Sequence, residues 1–267
     1  MGRPIVLVKL GGSLVTDKTR AGTARSAIIR RLAAEIAGSL DGAGGPRLIV
    51  GHGSGSFGHA AASKAGLTPG KSARRLTDGI ARVQRRAADL HRLVVGALED
   101  AGARPFALAP SSFLTASDGK VKEIFAEPLF RALDLGLVPV VYGDVVMDRG
   151  KGASIVSTEA LFVAIAEEAA RRRIPVARAV WLGETDGLQD ARGRTVTLLS
   201  ARGAARAAKQ ASGASGIDVT GGIALRLATV ARLARLGIGS HLVDGRPKGA
   251  AAAAIAGRHA HGTWVES

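Results

Sequence analysis

Short runs of apolar residues, rich in Val, Leu and Ile, alternate along the chain with longer segments whose apolar residues recur at helical spacing. Nearly continuous apolar runs are typical of strands that are covered on both faces. They predict six strands, over residues 5–9, 47–51, 104–109, 138–142, 176–182 and 239–243. The segments between them predict six helices, over residues 24–40, 57–65, 73–101, 128–135, 158–172 and 222–236. Strands that alternate with helices indicate an α/β fold with an open, mostly parallel sheet and helices on both of its faces.

Two further stretches have the pattern of β-hairpins. Residues 113–125 turn at Asp118-Gly119, and residues 145–156 turn around 149–152. Asp-Gly between apolar segments is a strong hairpin signal because both turn positions need positive φ. A third turn is predicted around 186–193, and the alanine run at 250–256 predicts a short helix.

Composition limits the class of protein. The chain has 267 residues, of which 46% are apolar, and this suits one large α/β domain or two closely joined lobes. It contains no cysteine, so disulfides, thiolate metal sites and thiol nucleophiles are excluded. No run reaches the roughly 18 apolar residues of a membrane span, and a strand begins too close to the N-terminus for a signal peptide. We therefore expect a cytoplasmic protein without a membrane partner.

The net charge of +15 raises an alternative of another class, a nucleic-acid-binding protein. The basic residues are scattered in pairs, and no basic stripe is interleaved with aromatic side chains for base stacking. An arginine-rich surface explains this distribution better than a nucleic-acid site does. A positive field would also attract a small anionic substrate.

The most distinctive polar pattern is His52-Gly-Ser-Gly-Ser-Phe-Gly-His59, which directly follows the second predicted strand. Glycine N–H groups can surround an anion because no Cβ blocks the approach, and a helix that begins near Phe57 would add partial positive charge. Residues 53–58 match the dinucleotide-binding pattern G-x-G-x-x-G. A dinucleotide-binding fold also requires a second parallel strand that ends at an acidic residue, for which Asp78 would be the candidate. Residues 67–76, which precede Asp78, do not have the pattern of a strand. We interpret the loop as a phosphate site.

A second glycine loop follows the first predicted strand, as Lys9-Leu-Gly-Gly-Ser13, with Asp17 and Lys18 shortly after it. A lysine at the end of a buried strand needs an anionic partner to offset its desolvation, and a phosphate would be such a partner. His59, at the end of the other loop, can donate a hydrogen bond to a phosphate oxygen. A structural histidine at position 59 and an ordinary surface lysine at position 18 are the alternatives.

Polar or glycine-rich motifs also end other predicted strands or precede the last predicted helix, at residues 142–144, 183–187 and 218–222. The carboxyl ends of parallel strands lie along one edge of a sheet, where open α/β folds bind their ligands. The motifs therefore predict one site at that edge, at which one phosphate meets another.

Taken in order, these motifs resemble those of a known family. Lys9-Leu-Gly-Gly-Ser13 with Lys18 is similar to the opening of the amino acid kinase superfamily. The loop at 52–59 resembles, more specifically, that of the isopentenyl phosphate kinases, whose usual loop is H-G-G-G-S-F-G-H. Residues 110–112, 142–146 and 218–222 are also similar, so the resemblance extends from residue 5 to about residue 265.

The resemblance implies a fold and a reaction. The fold would be a three-layer αβα sandwich, a single domain over residues 1–267 with an acceptor-binding lobe at about 1–170 and a nucleotide-binding lobe at about 171–267, often in a homodimer. The reaction would be phosphorylation of isopentenyl phosphate by ATP with Mg²⁺, which gives isopentenyl diphosphate. Dimethylallyl phosphate would be a further acceptor. The implied roles name no side chain as a metal ligand.

The resemblance also implies residue roles. The ATP phosphates would be held by Lys9, Gly11, Gly12, Ser13 and Gly55. The rest of the nucleotide site would be formed by residues 184–188, which include Glu184, Asp186 and Gly187, together with Gly222 and Arg226. The acceptor phosphate would be bound by Ser54, His59 and Gly143, and its tail by Leu76, Ile80 and Val83. Lys18 would stabilise the transition state, with Lys9 and His59 as the other catalytic residues.

Three positions depart from the family pattern. Ser54 replaces a usual glycine, Glu184 a more frequent aspartate, and Arg226 a typical lysine. Arginine keeps the charge but presents a planar fork, so this exchange changes geometry. A related kinase of the same fold, acting on a phosphonate such as fosfomycin or on another small phosphate, is the alternative within the family.

Overall fold

The computed structural model describes residues 3–40, 45–67, 73, 76–213, 222–258 and 260–267. In these residues the strands are β1 (Ile5–Leu10), β2 (Arg47–His52), β3 (Pro105–Ala107), β4 (Leu114–Ser117), β5 (Lys120–Ile124), β6 (Val138–Tyr142), β7 (Asp144–Asp148), β8 (Gly152–Val156), β9 (Val176–Gly183), β10 (Leu198–Leu199), β11 (Gly239–Asp244) and β12 (Gly262–Val265). The helices are α1 (Gly12–Val15), α2 (Ser26–Gly38), α3 (Gly55–Lys64), α4 (Thr77–Asp100), α5 (Glu127–Asp134), α6 (Thr158–Arg171), α7 (Ala201–Gly213), α8 (Gly222–Ala234) and α9 (Ala250–Ile255).

An eight-stranded sheet crosses the whole molecule in the order β10-β12-β11-β9-β1-β2-β6-β3. The six strands from β11 to β3 are all parallel, and they are the six that the sequence predicts. β12 pairs antiparallel with β11, and β10 pairs with β12. The carboxyl ends of β9, β1, β2 and β6 therefore lie side by side, as the motif argument requires.

Helices cover both faces of this sheet, and successive side chains of β1 contact the helices on one face and then those on the other. Ile5 and Leu7 belong to a core cluster with α5, α6, α7 and α8. Val6 and Val8 belong to a second cluster with α1, α2, α4 and α9 on the other face. Successive residues of a strand point to opposite faces, so an uninterrupted apolar run fills both layers. The predicted three-layer αβα fold is confirmed.

Both predicted hairpins form, and together they make a four-stranded sheet in the order β5-β4-β7-β8. Asp118 and Gly119 take φ of +52° and +82°, as the Asp-Gly turn requires. The carboxylate of Asp148 accepts hydrogen bonds from the backbone N–H groups of Gly119 and Lys151 and from the hydroxyl of Ser154. Asp148 therefore connects this turn to the turn of the second hairpin. Burial opposes ionisation of Asp148, but these hydrogen bonds outweigh it and lower the pKa of the carboxyl.

The elements differ from the predicted ones mainly at boundaries and in the C-terminal part. The strand predicted over residues 104–109 is reduced to β3, and α3 begins at Gly55, two residues before the predicted start. The sequence patterns do not predict α7, which contains no large apolar residue, or β10 and β12, which have only two and four residues. The division into two lobes remains a prediction. Within the described ranges, no helix is long and apolar enough to cross a membrane.

Candidate active site

The two glycine loops touch each other at the carboxyl edge of the main sheet. A Cβ at Gly12 would lie 2.9 Å from both the Cα and the N of Gly55. A Cβ at Gly55, whose φ is +49°, would lie 2.3 Å from Oγ1 of Thr16. That hydroxyl donates to the carbonyl of Gly12 at 2.7 Å and accepts the N–H of Ser56 at 3.0 Å. Thr16 therefore joins the loops, and the contact leaves no space for side chains.

Each loop leads directly into a helix at this contact. Gly11 precedes α1, which contains Ser13, and its N–H bonds the carbonyl of Leu182 on β9 at 2.8 Å. Ser54 precedes α3, and its side chain lies against the backbone of Gly58. The amino end of α3, with its partial positive charge, is therefore at the place where the loops meet.

Two cationic side chains lie near this contact, the buried Lys9 and the partly buried Arg226. Nζ of Lys9 lies 2.5 Å from a carboxylate oxygen of Glu159, and both side chains are less than a tenth exposed. The guanidinium of Arg226 packs over Gly183, since a Cβ there would lie 3.3 Å from Nη1. Among the described residues, the buried Nε of Arg226 has no hydrogen-bond partner. A buried donor without a partner fits an anionic ligand at this place.

The charges of this cluster perturb one another. Burial and the nearby Arg226 lower the pKa of Lys9, although Glu159 opposes the shift. Burial raises the pKa of Glu159, but Lys9 and Arg226 outweigh that effect and lower it. The cluster therefore combines two positive groups with one carboxylate. The sequence patterns do not indicate Glu159, which lies in the first turn of α6, a helix that also contains Glu167 and Glu168.

A small pocket opens at the start of α3, and we call it the acceptor pocket. Its polar end is formed by Ser54, Gly58, His59, Gly143 and Asp144. Its apolar end is formed by Val83, Ala87, Val145 and Ile155. Of the three predicted tail contacts, Val83 lines the pocket, whereas Leu76 and Ile80 pack behind it in the cluster that contains Val83. The pocket suits a molecule with one polar and one short apolar end.

His59 and Lys18 lie on the same side as this pocket. Partial desolvation of the imidazole and the positive charge of Lys18 lower the pKa of His59. Both residues are exposed. The imidazole and the ammonium group can therefore donate hydrogen bonds to an anion that enters from solvent.

A stack of buried rings supports the acceptor pocket from below. The rings of His91 and Tyr142 lie 4.3 Å apart between centroids, and the ring of His52 lies 5.3 and 5.7 Å from them. The carbonyl of His52 accepts the N–H of Gly143 at 3.0 Å and the hydroxyl of Thr158 at 2.7 Å. His52 therefore fixes the positions of both the glycine loop and Gly143.

Asp144 belongs to the same buried layer. Its carboxylate accepts the N–H groups of Ser111 and Val145 and interacts with the hydroxyl of Tyr142. Burial raises the pKa of the Asp144 carboxyl in spite of these donors. The Tyr142-Gly-Asp144 motif in the sequence predicts a role only for Gly143, and the structure adds the buried carboxylate of Asp144.

The remaining predicted residues lie at the end of β9 and at the start of α8. Glu184 pairs with Arg25 at 2.5 Å, and Asp186 lies 3.6 Å from the imidazole of His261. Gly187, with φ of +89°, packs so closely on Thr263 that a Cβ would lie 2.3 Å from its hydroxyl. Gly222 begins α8, the helix that carries Arg226. Residues 218–221 of that motif are outside the described residues.

Comparison with known proteins gives a consistent result. The chain matches the model of the amino acid kinase family over residues 4–244. An isopentenyl phosphate kinase of Haloferax volcanii is 33% identical over 245 residues, which cover 89% of this chain and 90% of the relative. A solved isopentenyl phosphate kinase structure has a TM-score of 0.79 at 25% identity, with 97% of this chain and 99% of the other covered. The product complex of the Thermoplasma acidophilum isopentenyl phosphate kinase has a TM-score of 0.75 at 27% identity, with 98% and 100% covered.

Proposed function

The chain belongs to the amino acid kinase family, and from this premise we propose that it transfers the terminal phosphoryl group of ATP to isopentenyl phosphate. The products are ADP and isopentenyl diphosphate. The observation that carries the proposal is the acceptor pocket, which joins a polar end at His59 to a short apolar end at Val83, directly beside the contact between the two glycine loops.

Lys9 and Arg226 support the assignment of the ATP phosphates to the part of the site beside these two side chains. Their charges neutralise the phosphate oxygens, and Gly11, Gly12 and Gly55 allow the two loops to pack together next to them. Ser13, in the first turn of α1, donates to the same group. Glu159 holds the Lys9 ammonium in place and limits the excess of positive charge when no nucleotide is bound.

The base and ribose of the nucleotide then extend along the end of β9. Glu184, Asp186 and Gly187 line this part of the site, and Gly222 and Arg226 approach it from α8. The planar guanidinium of Arg226 can donate two parallel hydrogen bonds to two phosphate oxygens, a bidentate geometry that a lysine ammonium group does not offer. Mg²⁺ is part of the proposal, and when bound with ATP it would neutralise part of the negative charge of the phosphates.

The acceptor requires no general base. A phosphate monoester has its second pKa near 6, so it is already largely dianionic at neutral pH and can attack directly. The difficulty is to bring two anions into line. His59 and the N–H groups at the start of α3 bind the acceptor phosphate, with Ser54 and Gly143 beside it. Lys18 stabilises the charge of the transferring phosphoryl group.

The apolar end of the pocket supports a five-carbon tail over the polar body of a phosphonate antibiotic. Val83, Ala87, Val145 and Ile155 offer no hydrogen-bonding side chain. Dimethylallyl phosphate, which has the same size and polarity, is a second acceptor in this proposal. A fosfomycin-like acceptor would leave these four side chains without an apolar partner.

The test is release of ADP from Mg-ATP by the purified protein with isopentenyl phosphate, dimethylallyl phosphate, methyl phosphate, fosfomycin or no acceptor. The proposal predicts rapid turnover with the two five-carbon phosphates and much slower turnover with methyl phosphate, which lacks the tail. Turnover with fosfomycin and with none of the phosphate acceptors would instead identify the protein as a phosphonate kinase. Equal turnover with methyl phosphate and isopentenyl phosphate would show that the apolar end of the acceptor pocket does not contribute to binding of the acceptor.

The proposal includes a cytoplasmic homodimer. Phe106 on the edge strand β3 and Leu93 on the adjacent helix α4 are exposed, which supports an apolar contact at this edge of the sheet. Light scattering of the purified protein would measure twice the 27.2 kDa chain mass. A particle of a single chain mass would contradict the dimer.

A further inference from the structure

A second cleft lies behind α3, on the side of the helix away from the acceptor pocket, and we call it the rear cleft. Its volume is about 260 Å³. Phe57, Ala60 and Ala61 of α3 form its apolar floor, and Ala21 and Gly22 form one edge. The acceptor pocket receives Ser54, Gly58 and His59 from the same part of the chain. The proposed function makes no use of the rear cleft.

Four basic side chains converge on the rear cleft. They are Lys64 at the end of α3 and Arg82, Arg85 and Arg86 on one face of α4. Arg86 is paired with Asp89 at 3.2 Å, and that carboxylate is shared with Arg92. Within the described residues, Lys64, Arg82 and Arg85 have no acidic partner, so an anion in the cleft would relieve repulsion among like charges.

A buried hydroxyl gives a second, independent sign of a ligand. Ser56 lines the cleft, its side chain is nine-tenths buried, and its Oγ has no hydrogen-bond partner among the described residues. Its backbone is already engaged, since the N–H bonds Thr16 and the carbonyl accepts the N–H of Gly22. Buried polar groups in native proteins are nearly always paired, so the hydroxyl of Ser56 is suited to a ligand oxygen.

We propose that the rear cleft binds a second anion, a diphosphate attached to a short apolar chain. The cationic rim and the Ser56 hydroxyl bind the diphosphate, and the floor of Phe57, Ala60 and Ala61 covers the chain. Only the identity of the natural ligand rests on the proposed function, whose product, isopentenyl diphosphate, belongs to this chemical class. The cleft itself is independent of that function.

A ligand bound in the rear cleft would affect the active site through two elements that line the cleft. The loop before α2, which provides Ala21 and Gly22, also carries Lys18. Helix α3 presents His59 on its other side. A ligand between this loop and α4 therefore contacts both elements that we assign to the acceptor phosphate, and product in the cleft would change the turnover rate.

The test is isothermal titration with isopentenyl diphosphate and with inorganic pyrophosphate, on four forms of the full chain. They are the wild type, His59→Gln, Arg82→Gln/Arg85→Gln and a charge-matched control, Arg30→Gln/Arg235→Gln, at two exposed positions outside the cleft. The proposal predicts two sites for isopentenyl diphosphate in the wild type and the control. His59→Gln keeps the cleft site, and the Arg82/Arg85 variant loses at least tenfold in affinity there.

Inorganic pyrophosphate separates the two parts of the ligand. The proposal predicts that it binds the cleft more weakly than isopentenyl diphosphate, because it lacks the apolar chain. One site that disappears in His59→Gln, or equal weakening in the control, would overturn the proposal. A failure of the proposed function is seen separately, as the absence of turnover of isopentenyl phosphate, and it leaves the titration of the cleft interpretable.

Discussion

At the scale of single residues, the active site depends on buried charges that compensate one another. Lys9 lies at the end of a fully buried strand, and its desolvation is offset by Glu159 at 2.5 Å. The sequence alone showed that Lys9 needs an anionic partner. It could not identify Glu159, because the pair joins positions 150 residues apart and exists only when α6 packs against β1.

Replacing Glu159 with Gln would test this compensation. The change leaves the Lys9 charge buried without a partner, and the loss of one member of a buried pair costs about 3–5 kcal/mol. We expect urea unfolding to show a decrease of that size in the free energy of unfolding of Glu159→Gln. Glu167→Gln on the same helix is the control, because its pair with Arg232 is partly exposed and contributes about 0–1 kcal/mol. Equal losses in the two variants would contradict a special role for Glu159.

Lys18 and His59 should have separable effects on catalysis. Lys18→Met removes a charge that acts on the transferring phosphoryl group, so kcat should fall by about 10²–10³-fold with little change in KM. His59→Gln removes a ligand of the acceptor phosphate, so KM for isopentenyl phosphate should rise by about 10–100-fold. Steady-state kinetics measure both values. Lys122→Met, at an exposed position in the β4–β5 hairpin, is the control and should match the wild type.

At the scale of elements, the contact between the two glycine loops sets the geometry of the site. Gly55→Ala forces a Cβ into left-handed backbone and against Thr16 at 2.3 Å. Gly66, at the other end of α3, has the same sign of φ, but nothing lies within 4 Å of the place that its Cβ would occupy. Thermal unfolding and turnover should therefore be strongly impaired in Gly55→Ala, whereas Gly66→Ala should lose only about 1–2 kcal/mol and keep its activity. Similar losses in both variants would show that φ alone, and not the contact, is limiting.

The histidine pair under the acceptor pocket predicts a pH dependence of stability. Nδ1 of His52 donates to the carbonyl of Gly53, and its Nε2 lies 3.0 Å from Nδ1 of His91. When both rings are neutral, Nε2 of His52 accepts the hydrogen bond from Nδ1 of His91. Burial and the charge of Lys9 lower the pKa of His52 to about 4. Burial and the neighbouring His52 lower that of His91 to about 3. Below the unfolded value of about 6.5, the unfolded chain binds protons that the folded chain does not.

Stability should therefore be highest above pH 6.5 and should fall as the pH decreases towards 4. His91→Asn, which can still donate to His52 but does not titrate, should flatten the dependence. Urea midpoints between pH 7.5 and 4.5 give the slope. His261→Asn, at an exposed histidine, should leave the slope unchanged. An unchanged slope in His91→Asn would assign the effect to other groups.

The predictability of elements follows from how they are buried. The parallel strands β11, β9, β1, β2 and β6 have apolar runs that the sequence displays, and the Asp-Gly dipeptide predicts a hairpin from two residues. Helix α7 is rich in Ala, Arg and Gly, and the strands β10 and β12 are short, so their patterns are too weak to predict them. These elements depend on contacts with α8 and β11 that the sequence does not display.

At the scale of the whole molecule, one sheet brings both halves of the chain to a common edge. β9 and β11 come from the C-terminal part, whereas β1, β2 and β6 come from the N-terminal part, and the loops after these strands form one site. The convergence of the motifs could be predicted, because parallel strands place their carboxyl ends together. The apolar end of the acceptor pocket could not be predicted fully, since Val145 and Ile155 reach it from a second sheet.

The most direct test of the account is ³¹P NMR of a reaction that contains the protein, Mg-ATP and isopentenyl phosphate. The account predicts that the monoester resonance disappears while a diphosphate other than ADP appears in equal amount with ADP. His59→Gln at the same acceptor concentration should slow this change. ADP with free inorganic phosphate and an unchanged monoester would contradict the account, because the phosphoryl group would then be transferred to water.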